Sequence, residues 1–278
     1  MITQAERRFI WEYAYVPEHV PEYVSAISAS EPRLMGDFLV YEKEDEIILV
    51  GYPLKNQDSD KKLQKVLDRI TSRSKWHRVS ITAPHLPKDI AGVLQAPDMY
   101  YRIELESLTV SQKLRNSLRR ASRDVEVMQS KAVTREQTTL IEQFVSSHTI
   151  DEGTRYIFER IPDYVAHCES ARVLEARNAK GDIIAFDVAE YGSKEYAFYL
   201  FSFRSPVAHV PGTSDLLLSR IISDARAMGK KYVNLGLGIS EGVTFFKTKW
   251  GAVPFLSHVT CVRSAETKSS IQTLLERL

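Results

Sequence analysis

Cysteine is scarce in this chain. Two occur in 278 residues, Cys168 in a helical pattern and Cys261 in a strand pattern. Two isolated thiols without short spacing exclude a disulfide framework and a cysteine zinc site, and both are expected to be reduced and partly buried. A net charge is also missing, since 37 basic residues face 36 acidic ones, a formal balance of +1. No global field draws the chain to nucleic acid or an anionic membrane, so such binding has to come from a local patch. No apolar stretch approaches the ~20 residues that span a bilayer. The opening MITQAERRFIWEYAY has neither the apolar core nor the small-residue cleavage site of a secretory signal. A cytoplasmic protein without membrane insertion is expected. The seven histidines show no metal-ligand spacing, and neither a Gly-x-Ser-x-Gly nor a Walker sequence occurs. No metal is expected.

The composition that remains, 44% apolar and 26% charged, is that of a globular protein with a sizeable core. The length suits two small domains. In the first part, a helix pattern from Pro21 to Ser30 leads into strand-like runs Phe38 to Glu42 and Ile47 to Tyr52, joined by a charged turn without glycine. Leu63, Val66, Leu67 and Ile70 then recur at helical spacing, with Asp58 or Ser59 as cap. VSITA and Met99 to Leu105 read as further strands. The domain expectation is a degenerate half over 1–98, a complete domain over 99–264 and a terminal helix over 265–278.

In the longer part, Ser111 caps a basic helix, Thr134 caps a second, and Tyr156 to Cys168 reads as a third that contains Pro162. RVLEARN, DIIAFDVAEY and EYAFYLFSF are strands joined by hairpin turns. A helix from Ser214 to Gly229, the strand YVNLGL, a helix from Ser240 to Trp250 and the strand PFLSHVTCV follow. Turns this short cannot carry parallel crossovers, so a mixed, partly antiparallel sheet of the α+β class is expected.

Four constellations carry chemistry. At the turn before Ser214, Gly212 permits close backbone approach, and the first helical amides at Thr213 and Ser214 suit an anion; an ordinary capped helix start reads the same way. Asp215 would repel that anion unless it points away. Asn234, inside an apolar strand, is either a polar contact in a cleft or a satisfied core amide. Phe246 and Trp250 share a helical face, while Lys247 either stabilises an oxyanion or is solvated. Lys113, Arg115, Arg119, Arg120 and Arg123 make one helix basic, either for a phosphorylated or RNA ligand or simply as a solvated face. Among carboxylates, Glu169, Glu175, Asp187 and Glu190 are candidate bases by position, and Asp187 alternates with apolar neighbours in its strand.

LRNSLRRASRDVEV, VPGTSDLLLSRIISDARAMGKKYVNLG and FFKTKWGA together resemble the GNAT (N-acetyltransferase) superfamily, and more closely its two-domain Fem-like branch. The first is similar to the Arg-Asn-x-x-Arg-x-Ala segment of Fem-like proteins. The last is similar to their Phe-Lys-x-x-Phe-Gly motif, with Trp250 as the aromatic. The resemblance covers residues 100 to 264 and implies a GNAT-like acyltransferase fold with two tandem halves. It implies a cleft between EYAFYLFSF and YVNLGL for the pantetheine of acyl-CoA or acetyl-CoA as co-substrate. Phe201, Phe203 and Phe246 would line it, and a pyrophosphate would meet His209, Gly212, Thr213 and Ser214. Lys247 stands where many GNAT enzymes carry a tyrosine acid, and with Asn234 and Asp187 it forms the implied catalytic set. The implied activity is acyl transfer from acyl-CoA to a small-molecule or peptide amine. A Fem-like aminoacyltransferase using aminoacyl-tRNA and a catalytically silent GNAT-fold binding module are the alternatives.

Overall fold

The computed structural model describes residues 2–55, 60–73, 76–87 and 92–264. The terminal helix expected over 265–278 and the caps Asp58 and Ser59 lie outside the described residues. Backbone contacts divide the chain into two compact units. Among the described residues, one is built from Glu31–Pro97 and residues 257–264, the other from Ile2–Ser30 and Asp98–Leu256.

In the smaller unit, β1 (Glu31–Met35), β2 (Phe38–Lys43) and β3 (Glu46–Val50) form an antiparallel meander. Its second turn lacks glycine, and Glu44 takes the left-handed φ of 52° that the turn requires. Helix α3 (Asp60–Arg73) crosses over to β4 (Arg78–Ala83), which runs parallel to β3. Leu63, Leu67 and Ile70, on one face of α3, are buried with Phe38, Leu49 and Ile81. The 259–264 part of β12 (Val253–Ser264) and the short β5 (Val93–Leu94) complete this sheet.

The larger unit starts with α1 (Gln4–Tyr13), closed by a capping box between Thr3 and Glu6, and α2 (Pro21–Ser28). The Trp11 indole of α1 lies where a Cβ at Gly192 would be, 0.8 Å from Cζ3, so this backbone takes the ring because it is glycine. β6 (Asp98–Glu104) precedes the basic helix α4 (Gln112–Asp124), capped by Ser111, and β7 (Val125–Ser130). α5 (Arg135–Ser147) carries a capping box from Thr134 and Gln137. The single helix expected around Pro162 is two helices, α6 (Glu152–Glu159) and α7 (Ile161–His167). Proline cannot continue a helix interior but fits its first turn, so the break falls at Arg160.

β8 (Ala171–Asn178), β9 (Ile183–Glu190) and β10 (Tyr196–Arg204) form a second antiparallel meander. Helix α8 (Thr213–Ala227) crosses over to β11 (Tyr232–Leu237), parallel to β10, and α9 (Glu241–Lys249) follows. Strand order in this unit is β6-β11-β10-β9-β8-β7. Leu217, Leu218, Ile221 and Ala225 of α8 are buried on one side with Leu114 of α4, and Leu118 packs against them. The hydrophobic residues of α5 and α7 form another buried cluster with Phe186, Phe201 and Phe203. Both units therefore repeat one connectivity: meander, crossover helix, and a strand parallel to the last of the meander. The sheet is mixed and the class is α+β, as the short turns predict.

Candidate active site at the opened strand pair

β10 and β11 pair only over Tyr196↔Tyr232, Ala197↔Val233 and Phe198↔Asn234. Beyond that point β10 runs on to Arg204 and β11 to Leu237, unpaired with each other. The cause is local. The Asn234 carboxamide oxygen accepts from its neighbour Gly236 N at 2.8 Å, and Gly236 takes φ 76°. That turns the backbone away and shifts the register with β6 between Asn234 and Leu237. The Asn234 amide nitrogen donates to Tyr15 O at 2.9 Å, so this fully buried side chain is satisfied at both ends. Of its two sequence readings, the satisfied core amide is the one whose hydrogen bonds are seen, and its effect is to hold the strands apart.

Lys247 occupies one wall of the gap. Ser240 caps α9 by accepting from Val243 N at 3.3 Å, and the helix carries Lys247 inward, 3% exposed. Its Nζ donates to Leu237 O and lies 5.9 Å from the centre of the Tyr101 ring. A Cβ on Gly236 would sit 3.9 Å from both Lys247 Nζ and Tyr199 O. These two groups therefore flank the glycine. Phe246 packs beside Tyr199, ring centres 6.5 Å apart. Burial lowers the Lys247 pKa to about 8, with the Asp98 charge opposing the shift.

The start of α8 has no side-chain cap; the Thr213 hydroxyl turns back to Val210 O at 2.7 Å. Gly212 has φ 87°, and its missing Cβ faces α4, 3.0 Å from Ser117 Oγ and 3.3 Å from Ala121 Cβ. Glycine here lets the turn pack on the basic helix. His209 is exposed and Ser214 half-buried. Asp215 points away from this turn: its Oδ1 accepts from Trp250 Nε1 at 2.9 Å and pairs with Lys249 at 2.6 Å. Lys113, Arg115, Arg119, Arg120 and Arg123 are all exposed, and none forms an ion pair among the described residues.

Phe201 and Phe203 do not line this gap with Tyr199. The β10 register slips between Tyr199 and Phe201. Strict alternation would put residues 197, 199, 201 and 203 on one face, but a bulge inserts one residue and flips the later two. Ala197 and Tyr199 pack in the α8 cluster, whereas Phe201 and Phe203 pack with α5 and α7. Phe203 stacks on Phe186 at 5.2 Å and meets Phe144 and Phe158 edge-on at 5.4 and 5.2 Å. Tyr199 thus takes the place expected of Phe201, and no sequence signal marks a bulge.

Asp187 is fully buried opposite Ser202. Burial pushes its pKa up to about 8; the Ser202 and Tyr199 hydroxyls and the Arg204 charge oppose the shift. Neither hydroxyl reaches hydrogen-bonding geometry, so both carboxyl oxygens are without a partner among the described residues. The folded state favours the protonated acid, so stability from this group is full below about pH 4 and lost as pH rises toward 8. Asp187→Asn is expected to remove a slope of up to about 1.4 kcal/mol per pH unit across that window. Urea denaturation of both proteins at several pH values checks it; parallel curves would mean that the carboxyl ionises freely in the fold.

No cluster of three or more His, Cys, Asp or Glu suited to a metal occurs among the described residues, and no helix there is long and apolar enough to cross a membrane. No family model matches the sequence, and no curated protein matches it. Solved structures do match. The C-terminal domain of a putative lysylphosphatidylglycerol synthetase from Agrobacterium fabrum is 14% identical with a TM-score of 0.62, over 92% of this chain and 90% of that one. FemX is 12% identical with a TM-score of 0.57, over 100% and 98%. A tandem GNAT protein from the clavulanic acid biosynthesis pathway is 10% identical with a TM-score of 0.50, over 84% and 79%. Identities this low define a fold. The chain has the GNAT-like fold in two tandem halves.

Proposed function

We propose that the chain is an acyltransferase that moves an acyl group from acyl-CoA to the amine of a small molecule or peptide. The observation that carries this reading is the opened β10–β11 pair with a buried ammonium on one wall. A pantetheine arm in the gap would meet backbone groups of β10 that have no strand partner on that side, with Tyr199 and Phe246 beside it. The amine attacks the thioester carbonyl carbon, a C–N bond forms and the C–S bond breaks. The sulfur leaves as thiolate and takes up the proton that the amine loses. Negative charge builds on the carbonyl oxygen meanwhile, and the Lys247 ammonium stabilises it. Holding the amine and thioester together in the gap supplies much of the remaining acceleration.

The diphosphate is assigned to the uncapped turn at His209, Gly212, Thr213 and Ser214, where helix amides and the α4 cations favour anions. Asn234 is assigned to shaping the gap. Asp187, closed off from solvent beside Tyr199, is assigned to supporting that wall. The unpaired cations of α4 favour a second reading, in which aminoacyl-tRNA is the donor. The likeness to FemX and to a lysylphosphatidylglycerol synthetase supports it too.

Calorimetric titration with coenzyme A, alongside transfer assays with acetyl-CoA or charged tRNA and a panel of amines, tests these readings. One coenzyme A per chain is expected. In the smaller unit the corresponding strands stay paired from Glu46↔Arg78 to Val50↔Thr82, and Gly51 N continues the ladder to Thr82 O at 2.7 Å. Among the described residues no gap opens there for a second arm. Two bound per chain would remove the gap as the donor site. Salt-sensitive tRNA binding without coenzyme A binding would establish the second reading. Neither ligand would leave the silent binding module.

A further inference from the structure

β6 opens on Asp98, a residue with no sequence motif around it. Its Oδ1 accepts from Met99 N at 2.6 Å and from Gly238 N at 3.0 Å, and its Oδ2 accepts from Ile239 N at 2.9 Å. Gly238 and Ile239 form the turn that leaves β11. Ile239 has φ 59°, a left-handed conformation that a β-branched residue avoids. Its side chain is 79% exposed, so packing does not hold it there. A Cβ on Gly238 would lie 2.7 Å from Asp98 Oδ1, so the carboxylate sits against bare backbone. The residue before this turn is Leu237, whose carbonyl receives the Lys247 ammonium.

We propose that Asp98 is the positioning residue for Lys247. It clamps the strained 237–239 turn so that the Leu237 carbonyl holds the ammonium at the gap, and its charge keeps that ammonium protonated. The proposal rests on the reading of Lys247 as the oxyanion-stabilising group. The groups facing Lys247 are the Asp98 carboxylate and the Tyr101 ring from β6 and the Leu237 carbonyl from β11. Burial works against an ionised Asp98, but the three amides and the Lys247 charge hold its pKa below the ordinary value. Strain at a site edge persists only where the surroundings impose it, and here the carboxylate does so.

Asp98→Asn preserves the shape of the side chain and removes its charge. With lysine labelled at the ε-carbon, the Lys247 resonance in the full chain is assigned by its absence in Lys247→Met. Its titration midpoint is expected to fall by roughly half a unit to one unit in Asp98→Asn. The falling limb of the kcat profile should move with it, with KM little changed. A purely structural Asp98 would lower stability and leave that midpoint alone. Should Asp98→Asn fold poorly, the double variant with Ile239→Gly relaxes the turn, and the same titration is read there. An unchanged Lys247 midpoint overturns the proposal even in an active acyltransferase. A shifted midpoint in a chain that transfers no acyl group would leave the clamp standing and remove the reaction.

Discussion

Replacing Lys247 by methionine is expected to lower kcat by about ten- to a thousand-fold, the range seen when an oxyanion donor is lost. KM should change little, because the ammonium acts on charge that exists only in the transition state. The side chain is buried on one wall of the opened strand pair, and its pKa is lowered to about 8 by burial. The protonated form is the useful one, so wild-type turnover should decline as pH rises through about 8. That limb should vanish in Lys247→Met. Stability moves the other way. A lysine whose folded pKa lies below its unfolded value destabilises the fold at low pH, and the deficit disappears between about pH 8 and 10.5. Methionine keeps most of the stem and removes the buried charge, so the variant should gain about 1–3 kcal/mol at neutral pH. Single-turnover kinetics and urea denaturation on one preparation read both effects. Normal turnover with raised stability would mean that the lysine has no part in the chemistry.

Three residues along the same motif, Trp250→Ala is expected to lose stability heavily and to say nothing about catalysis. The ring is 2% exposed in the α8 cluster, and removing it should cost about 3–5 kcal/mol. Its indole N–H also serves the buried Asp215, whose other partner is Lys249. Leaving that carboxylate with one partner should add about 1–3 kcal/mol. Trp250→Phe separates the two effects, since it keeps most of the ring volume and loses only the donor. A shift in urea midpoint for Trp250→Phe as large as for Trp250→Ala would put most of the effect in the hydrogen bond. No shift in either would mean that the indole is dispensable to the core.

The motif FFKTKWGA was legible as a unit, but its residues divide the work in ways the letters do not show. Helical spacing places Phe246 and Trp250 on one face; the structure sends Phe246 to Tyr199 and Trp250 to Asp215. The uneasy position of Asp215 beside an anion turn was visible in the sequence, and its resolution lay in a tryptophan thirty-five residues away. The caps at Ser111 and Thr134 were legible because a cap is a matter of three neighbouring residues. The break before Pro162 has no such local mark, because a periodic pattern continues across two helices as easily as along one.

By itself the sequence determined most of the helices and strands and the mixed sheet, though not α1, β1 or β7, and it pointed to the fold through three short segments. These are consequences of periodicity, turn chemistry and capping, all of which act within a few residues. Only the tertiary structure decided which side chains face the gap. A one-residue bulge in β10 turns Tyr199 inward and Phe201 and Phe203 into the opposite core. A carboxylate on β6 reaches a turn some 140 residues later and holds it in a conformation that its isoleucine does not favour. Side-chain direction along a strand reverses with every residue, and contacts between distant segments form only when the chain closes. Neither has a signature in local sequence.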